Sequence, residues 1–272
     1  MLNTLLLILI STAILYLYIK LNRKGKIIKL IPFLVSIIAQ LFIPYNDISV
    51  SIGLLLILLA AIFIFNYYDK MQYILNSANE PCSTYKAIIP IGISLGLLGI
   101  ARQDMISYMW GLFFWAMFWA GMADVEGLKL SLLKRAIKGF KQGAFLTLII
   151  VLIMSGICFF TPFISIEEVI AGLIEPFYKY KKIVLPLPIS IYGILFYLPV
   201  LLAIISLILL IYKNRKRIIK ANTPIFWKEM LIINLTLNIF NYSLLGDSLS
   251  FLLPSILLSS LVLFNLYNDN VC

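Results

Sequence analysis

Long segments that carry almost no charge recur along this chain and restrict what it can fold into. A helix needs about 20 predominantly apolar residues to cross the hydrocarbon core of a bilayer, and somewhat shorter segments are tolerated. The candidate segments are 2–19, 27–43, 50–68, 86–101, 105–122, 144–162, 187–211, 229–245 and 249–267. The predicted fold class is therefore all-α, a polytopic transmembrane helical bundle of about nine spans.

The composition supports a membrane protein and argues against a nucleic-acid-binding one. Of the 272 residues, 62% are hydrophobic and 12% are charged, and the mean hydropathy is +1.02. A soluble domain is closer to about half apolar and about a quarter charged. The net charge of +10 resides in Lys and Arg residues of short loops, where such residues encode orientation in a bilayer. We expect a lipid bilayer as a partner and no nucleic acid.

The basic residues predict how the bundle is oriented. They cluster in the loops 20–29, 122–143 and 212–228, and loop 69–86 carries Lys70 and Lys86, so every second loop is basic. Loop 43–49 carries only Asp47, and the short loop around Arg102 and Asp104 is neutral. Because basic loops stay in the cytoplasm, this alternation predicts an N-terminus outside and a C-terminus in the cytoplasm. Loop 163–186 balances lysines against glutamates and is assigned to the outside. The first apolar segment lacks a basic leader and a cleavage site, so we expect it to be retained as a span.

Several kinds of site are excluded by residue types. The chain has no histidine, which removes Ser-His catalysis and histidine-dependent zinc sites. Cys82, Cys158 and Cys272 have neither the spacing of a metal site nor the number that a disulfide framework needs. We expect no metal and no cofactor.

Two acidic residues end apolar segments on the same predicted membrane face. Asp69 ends the third segment and Asp124 follows the fifth, both at the cytoplasmic edge. Two carboxyl groups that approach closely share one proton, because two like charges at contact cannot both ionise. The ionised member then takes a proton from water while the protonated one polarises a peptide carbonyl. Such a pair hydrolyses peptides without histidine.

The same two residues also fit a structural role. An Asp shortly after a glycine at a helix start, as Asp124 is three residues after Gly121, is a good N-cap, and its charge favours the positive end of the helix dipole. Asp69, beside Lys70, can simply be solvated. Glu126 would lie about 200° around a helix from Asp124 at about 100° per residue, so it is not the expected partner. From the residues alone, capping and catalysis both remain open.

A family resemblance favours catalysis. Gly121-Met-Ala-Asp124, followed by Val125 and a leucine-rich run, resembles the second motif of the type IV prepilin and preflagellin (archaellin) peptidases, which are GxGD-type membrane aspartyl peptidases. The stretch Tyr68-Asp69 to Asn76 resembles the first motif, although the proline of that motif is absent. The separation of 55 residues (124 − 69), with two predicted spans between the aspartates, is also similar. The resemblance covers roughly residues 50–145.

The resemblance implies an activity and a division of the chain. Asp69 and Asp124 would be the catalytic pair, and Gly121 the motif glycine that lets backbones approach closely. The expected substrates are membrane-anchored pilin-like or archaellin precursors, cut at the cytoplasmic face of the cell membrane. Residues 1–49 would form two extra N-terminal transmembrane helices, 50–145 the catalytic helical core, and 146–272 the C-terminal helices that complete the bundle.

Two further patterns concern helix surfaces. Gly92, Gly96 and Gly99 predict a close helix-packing face on segment 86–101. The aromatic run from Trp110 to Trp119 is expected to be packing and lipid-facing surface, with a groove wall for the substrate's apolar helix as the alternative.

Two rival functions stay open. Fragments around Asp69 and Asp124 also resemble the aspartate motifs of UbiA-type prenyltransferases, which are magnesium-dependent membrane transferases. Such chemistry needs several carboxylates around magnesium, and this chain offers a single aspartate at each place. The other rival is a non-catalytic membrane assembly subunit. Substrate identity, the role of the two N-terminal spans, the protonated aspartate and the oligomeric state are not determined by the sequence.

Overall fold

The structure is a computed structural model in which every described element is a helix. It describes residues 2–21, 48–77, 84–123, 131–161 and 165–178, together with isolated positions from 201 to 212, position 228 and positions 230–237. No strand occurs among these residues. The chain forms two compact units, one of Met1–Asn46 with Lys181–Cys272 and one of Asp47–Tyr180.

Six helices have defined bounds. They are α1 (Leu2–Leu21), α2 (Ile48–Ser77), α3 (Thr84–Ala101), α4 (Gln103–Ala123), α5 (Leu132–Phe160) and α6 (Ile166–Tyr178). Helices α1 to α5 contain the predicted spans 2–19, 50–68, 86–101, 105–122 and most of 144–162. The predicted spans 27–43 and 249–267 lie outside the described residues, and 187–211 and 229–245 are described only in part.

Two of these helices are long and apolar enough to cross a membrane. The qualifying segments are Ile48–Asp69 in α2, with 22 residues, and Leu133–Phe160 in α5, with 28 residues. The membrane class predicted from composition is thus supported within the described part of the chain. The count of nine spans and their orientation stay predictions. The predicted boundary between residues 145 and 146 falls within α5.

In the unit Asp47–Tyr180, helices α2 to α5 run in alternating directions. Gly53 near the start of α2 packs against Leu98 near the end of α3, so these two helices are antiparallel. Arg102 alone separates α3 from α4, and its Nη1 donates a hydrogen bond to Ser49 Oγ at 3.1 Å. The start of α4 therefore lies beside the start of α2, and the two helices run parallel. We call the end with Ser49 and Arg102 the Arg102 end.

Helix α5 packs on both α3 and α4. It runs antiparallel to α4, since Gly121 near the end of α4 meets Gly139 near the start of α5, while Trp110 Nε1 donates a hydrogen bond to Thr147 Oγ1 at 2.9 Å. The other end of the unit therefore gathers the last turn of α4, the start of α5 and, on α2, Asp69. We call this the Asp69 end.

The glycine stripe on α3 is a close-packing face, as the sequence predicts. A Cβ built on Gly92, Gly96 or Gly99 would lie 2.5, 2.7 and 2.5 Å, respectively, from side-chain atoms of α5. Real Cβ atoms do not come this near. Gly92 and Gly96 meet the Cβ atoms of Ile149 and Ile153, which cannot turn aside, so only glycine lets α3 and α5 approach to this distance there. In lipid no hydrophobic effect drives two helices together. Small residues stabilise the helix pair by letting the backbones approach closely enough for extensive van der Waals contact.

Helix α5 is longer than the apolar segment that predicted it. It begins at Leu132, after Ser131, and not at residue 144. Its first turns carry Lys134, Arg135, Lys138 and Lys141, none of which is fully buried. Hydropathy identifies only the residues that are apolar enough to lie in lipid. A helix continues as long as its backbone hydrogen bonds and its packing face persist, so α5 extends beyond the apolar segment.

The segment 163–186, expected to be a loop, contains helix α6. Its start has the reciprocal bonds of a capping box, since Glu168 N donates to Ser165 Oγ at 3.0 Å and Ser165 N donates to Glu168 Oε2 at 3.4 Å. Ser107 Oγ of α4 donates to Leu173 O at 2.8 Å. Helix α6 is therefore docked on α4 at the Arg102 end.

Candidate functional site

Asp69 lies on α2 where the membrane-capable stretch ends. The apolar segment Ile48–Asp69 finishes at this residue, and the helix continues to Ser77. Its side chain is half-buried, and the two residues before it, Tyr67 and Tyr68, are buried. Asp69 thus stands at the boundary between an apolar interior and the polar continuation of the same helix.

A buried hydrogen bond connects this position to α4. Tyr68 Oη donates to Ala116 O at 3.0 Å. Long side chains in helices lean toward the N-terminal end of their own helix. Because α2 and α4 are parallel, the α2 backbone at Asp69 lies nearer the C-terminal end of α4 than the Tyr68 hydroxyl does. That end of α4 carries Gly121.

Gly121 lets the backbones of α4 and α5 approach closely. A Cβ at this position would lie 2.8 Å from Gly139 Cα and 2.9 Å from both Cδ and Oε1 of Gln142. Gly139 and Gln142 are both buried. The sequence predicted that Gly121 allows a close backbone approach, and the structure identifies the neighbour as the first half of α5.

The sequence reasoning missed Gln142. Its side chain is 1% exposed, and neither Nε2 nor Oε1 has a hydrogen-bond partner among the described residues. A signal was present, because Gly139, Gly143 and Leu146 repeat at helical spacing on the same buried face. That periodicity would have predicted burial of Gln142 only if residues 139–143 had been assigned to a helix, and the predicted span began at residue 144.

Asp124 lies outside the described residues, in the segment 124–130. Helix α4 ends at Ala123, immediately before it, and Ser131 is the residue that precedes α5. The capping and catalytic roles predicted for Asp124 both stay predictions. Glu126 lies in the same segment.

The aromatic run on α4 is partly exposed. Trp110 and Phe114 have ring centroids 5.5 Å apart, and Phe114 meets Phe140 of α5 at 5.8 Å. Phe140 and Trp115 remain 60% and 55% exposed. These rings form an apolar surface on α4 and α5 that extends toward the Asp69 end.

Asp104, the other described aspartate, lies at the opposite end. It accepts two hydrogen bonds from Arg102, from Nε to Oδ1 at 3.0 Å and from Nη2 to Oδ2 at 2.9 Å. This bidentate pair neutralises both charges at the junction of α3 and α4. Asp104 and Asp69 therefore lie at opposite ends of the unit Asp47–Tyr180.

Within the described part of the chain, no three His, Cys, Asp or Glu residues come together as a metal site would require. Comparison with protein-family models, with curated proteins and with solved structures finds no match to this chain.

Proposed function

We propose that this protein is a membrane aspartyl endopeptidase of the prepilin and archaellin peptidase class. The observation that carries the proposal is the parallel arrangement of α2 and α4. It brings Asp69 of the first motif and Gly121 of the second to the same end of the unit. A proton-sharing pair formed by Asp69 and Asp124 requires that the two motifs meet in this way.

The chemistry needs two carboxyls and one water molecule. The ionised carboxylate of the pair removes a proton from water, and the resulting hydroxide attacks the scissile peptide carbon. The protonated carboxyl donates its hydrogen bond, and then its proton, to the peptide oxygen. Collapse of the tetrahedral intermediate breaks the C–N bond. One carboxyl gives its proton to the amine as it leaves, and the other carboxylate takes a proton from a hydroxyl of the intermediate, which restores the pair. The mechanism requires no metal and no cofactor.

The charge distribution supports a cytoplasmic location for this end. The start of α5 carries Lys134, Arg135, Lys138 and Lys141, and it belongs to the Asp69 end. Basic residues flanking a span favour the cytoplasmic side. In the proposed arrangement the chain crosses the cell membrane about nine times, with α6 at its outer surface.

The substrates would be membrane-anchored pilin-like or archaellin precursors, whose leader is removed at the cytoplasmic face. The exposed rings of Trp115 and Phe140 offer an apolar surface for the helix of such a precursor. The surface leads along α4 toward Gly121, which precedes Asp124 by three residues.

The test is to co-express pilin-like precursors with Asp69→Asn and Asp124→Asn variants, each alone. We expect either change to reduce leader removal by at least about a hundredfold, because loss of a general acid or base typically costs about 10²–10⁴ in rate. Asp104→Asn, at the opposite end of the unit, is the matched control and should process precursors as the parent chain does. Processing should also persist in the presence of a magnesium chelator.

Full processing by either single variant would remove the dyad proposal. Magnesium-dependent consumption of a prenyl diphosphate would instead support the membrane transferase. If all variants lack processing but support pilus assembly as well as the parent chain, the assembly-subunit alternative is favoured.

A further inference from the structure

One face of α5 combines exposed lysines with exposed leucines. Lys134, Lys141, Leu148 and Leu152 follow one another at intervals of seven, seven and four residues. At about 100° per residue, these intervals place the four side chains within about 40° of one another around the helix. Both lysines are exposed, and the two leucines are 52% and 61% exposed. We call these four residues the α5 stripe.

The lysines of the α5 stripe have no counter-charge on their own helix. The described stretch 131–161 contains no Asp and no Glu, and neither lysine forms an ion pair with another described residue. Lys134 also lies in the first turn, where the positive end of the helix dipole repels a cation. An anion beside Lys134 and Lys141 would offset this repulsion and neutralise both charges.

The part of α5 that follows the lysines has the length of a membrane core. Residues 142–160 carry no charge, and at about 1.5 Å per residue they extend about 28 Å, close to the hydrocarbon thickness of about 30 Å. Lys141 therefore falls at one boundary of the core, and Phe160, which is exposed, falls at the other. The distance along the helix from Lys141 to Leu152 is about 16 Å, which is about the depth of one leaflet.

The α5 stripe therefore has the charge and the length of one phospholipid. Its lysines lie at the level of the headgroups, and long lysine side chains reach headgroup phosphates from that boundary. Its leucines lie at the level of the acyl chains in the same leaflet. A free phosphate ion would contact only the lysines and would leave the leucines uncovered, whereas an anionic phospholipid contacts both.

We propose that the α5 stripe binds an anionic phospholipid, with the lipid phosphate at Lys134 and Lys141 and an acyl chain along Leu148 and Leu152. The inference requires that α5 lies in a bilayer, and it is independent of the proposed peptidase activity. A role in orientation alone requires only that basic residues flank the span on one side. It gives no reason for both lysines to share a face with the exposed leucines.

The test measures which lipid surrounds each end of α5. In the full chain with Cys82, Cys158 and Cys272 replaced by serine, Ile137→Cys carries an uncharged fluorophore at an exposed position between the two lysines. The protein is inserted into phosphatidylcholine vesicles that contain either brominated phosphatidylglycerol or an equal fraction of brominated phosphatidylcholine. The anionic lipid should quench with a several-fold higher association constant, because each nearby lysine contributes up to about fivefold.

Phe160→Cys, labelled in the same way, is the matched control at the other end of the helix. Phe160 is exposed as Ile137 is, and the last turn of α5 contains no basic residue. The two brominated lipids should quench this position equally.

Three paired substitutions, each combined with the label at position 137, separate the α5 stripe from charge in general. Lys134→Gln with Lys141→Gln should reduce the preference for the anionic lipid toward one, whereas Lys134→Arg with Lys141→Arg keeps both charges and should retain it. Arg135→Gln with Lys138→Gln removes the same number of charges from half-buried positions beside the stripe and should retain most of the preference. The unfolding midpoints of the glutamine and arginine pairs at 134 and 141 should be equal in uncharged detergent.

A preference of one at position 137 would overturn the proposal. Equal preferences at positions 137 and 160, or equal losses for the two glutamine pairs, would assign the effect to general surface charge and overturn it as well. Because lipid quenching involves no precursor, a parent chain that processes no precursor would contradict the proposed function and leave this inference standing.

Discussion

At the scale of single residues, Gly121 shows how one missing side chain determines a helix interface. The Cβ that any other residue would add meets Gly139 Cα at 2.8 Å. Gly139 Cα is a backbone atom and can move only if the whole of α5 moves. The motif glycine therefore has a packing role that is independent of any catalytic one.

We expect Gly121→Ala to lower the free energy of unfolding by about 1–3 kcal/mol, the usual cost of overpacking a close interface. The measurement is the unfolding midpoint in detergent. Gly111→Ala on the same helix is the matched control, because a Cβ there meets no described atom within 4 Å. The control should be neutral or stabilising by up to about 1 kcal/mol, since alanine favours helix more than glycine does. Equal shifts for both variants would contradict the interface.

The Tyr68 hydroxyl permits a second measurement at this scale. Tyr68→Phe removes the hydrogen bond to Ala116 O, which still accepts a bond within its own helix, so no buried acceptor is orphaned. We expect a loss of about 0.5–1.5 kcal/mol in the free energy of unfolding. Tyr68→Ala also removes the buried ring and should cost about 3–5 kcal/mol, as large aromatic truncations do. If Tyr68→Phe lowered the free energy of unfolding as much as Tyr68→Ala does, the separate contributions assigned to the hydroxyl and to the ring would be contradicted.

Residue types alone therefore predicted part of the candidate site. Asp69 and Gly121 were identified from motif and topology, and the structure brings both to the same end of the unit. Gln142 was not identified, because its burial depends on where α5 begins and on what packs against it. The separation between Asp69 and Asp124 concerns a residue outside the described part of the chain, and the catalytic pair remains a proposal.

At the scale of elements, α6 was missed although its signals are local. Its 13 residues are too few to cross a bilayer, and its glutamates interrupt the apolar pattern on which the span assignment relied. The capping box at Ser165 and Glu168 and the spacing of Ile166, Ile170 and Ile174 both indicate a helix. A search for membrane spans passes over such a helix because it is amphipathic.

The surface of α6 divides into three faces, and this division can be measured. Val169 is buried toward the rest of the unit, Glu167 and Glu168 are exposed, and the isoleucines at 166, 170 and 174 form an exposed apolar stripe. In the proposed topology, fluorophores attached to single cysteines on the stripe should be quenched most by quenchers attached to lipid. Fluorophores at 167 and 168 should be quenched most by iodide in water. Iodide quenching at 170 equal to that at 168 would contradict an interfacial helix.

At the scale of the whole molecule, the alternating directions of α2 to α5 agree with the alternating charges of the loops. The start of α5 with its lysines and arginine and the Arg102 junction with its neutral pair lie at opposite ends of the unit Asp47–Tyr180. Two ends of different charge are what an orientation signal in a membrane requires.

We therefore expect opposite sidedness for the two ends in cells. In a chain otherwise free of cysteine, Lys138→Cys should react with a membrane-impermeant maleimide only in inverted vesicles. Glu167→Cys should react only in intact cells, because α6 belongs to the Arg102 end. Lys216→Cys, in the basic loop 212–228, should react from the same side as Lys138→Cys. Labelling of positions 138 and 167 from the same side would contradict the proposed topology.

The amino-acid sequence by itself determined the helical class, the membrane-capable segments of α2 and α5, the close-packing glycines of α3 and the end of the unit at which Asp69 lies. These properties follow from hydropathy, charge and spacing, which are local and can be recognised before any packing is known. Only the tertiary structure decided that Gly121 meets Gly139, that the Tyr68 hydroxyl binds Ala116 O and that Gln142 is buried. Such contacts join residues far apart in the chain, and they depend on how helices cross, which no local pattern contains.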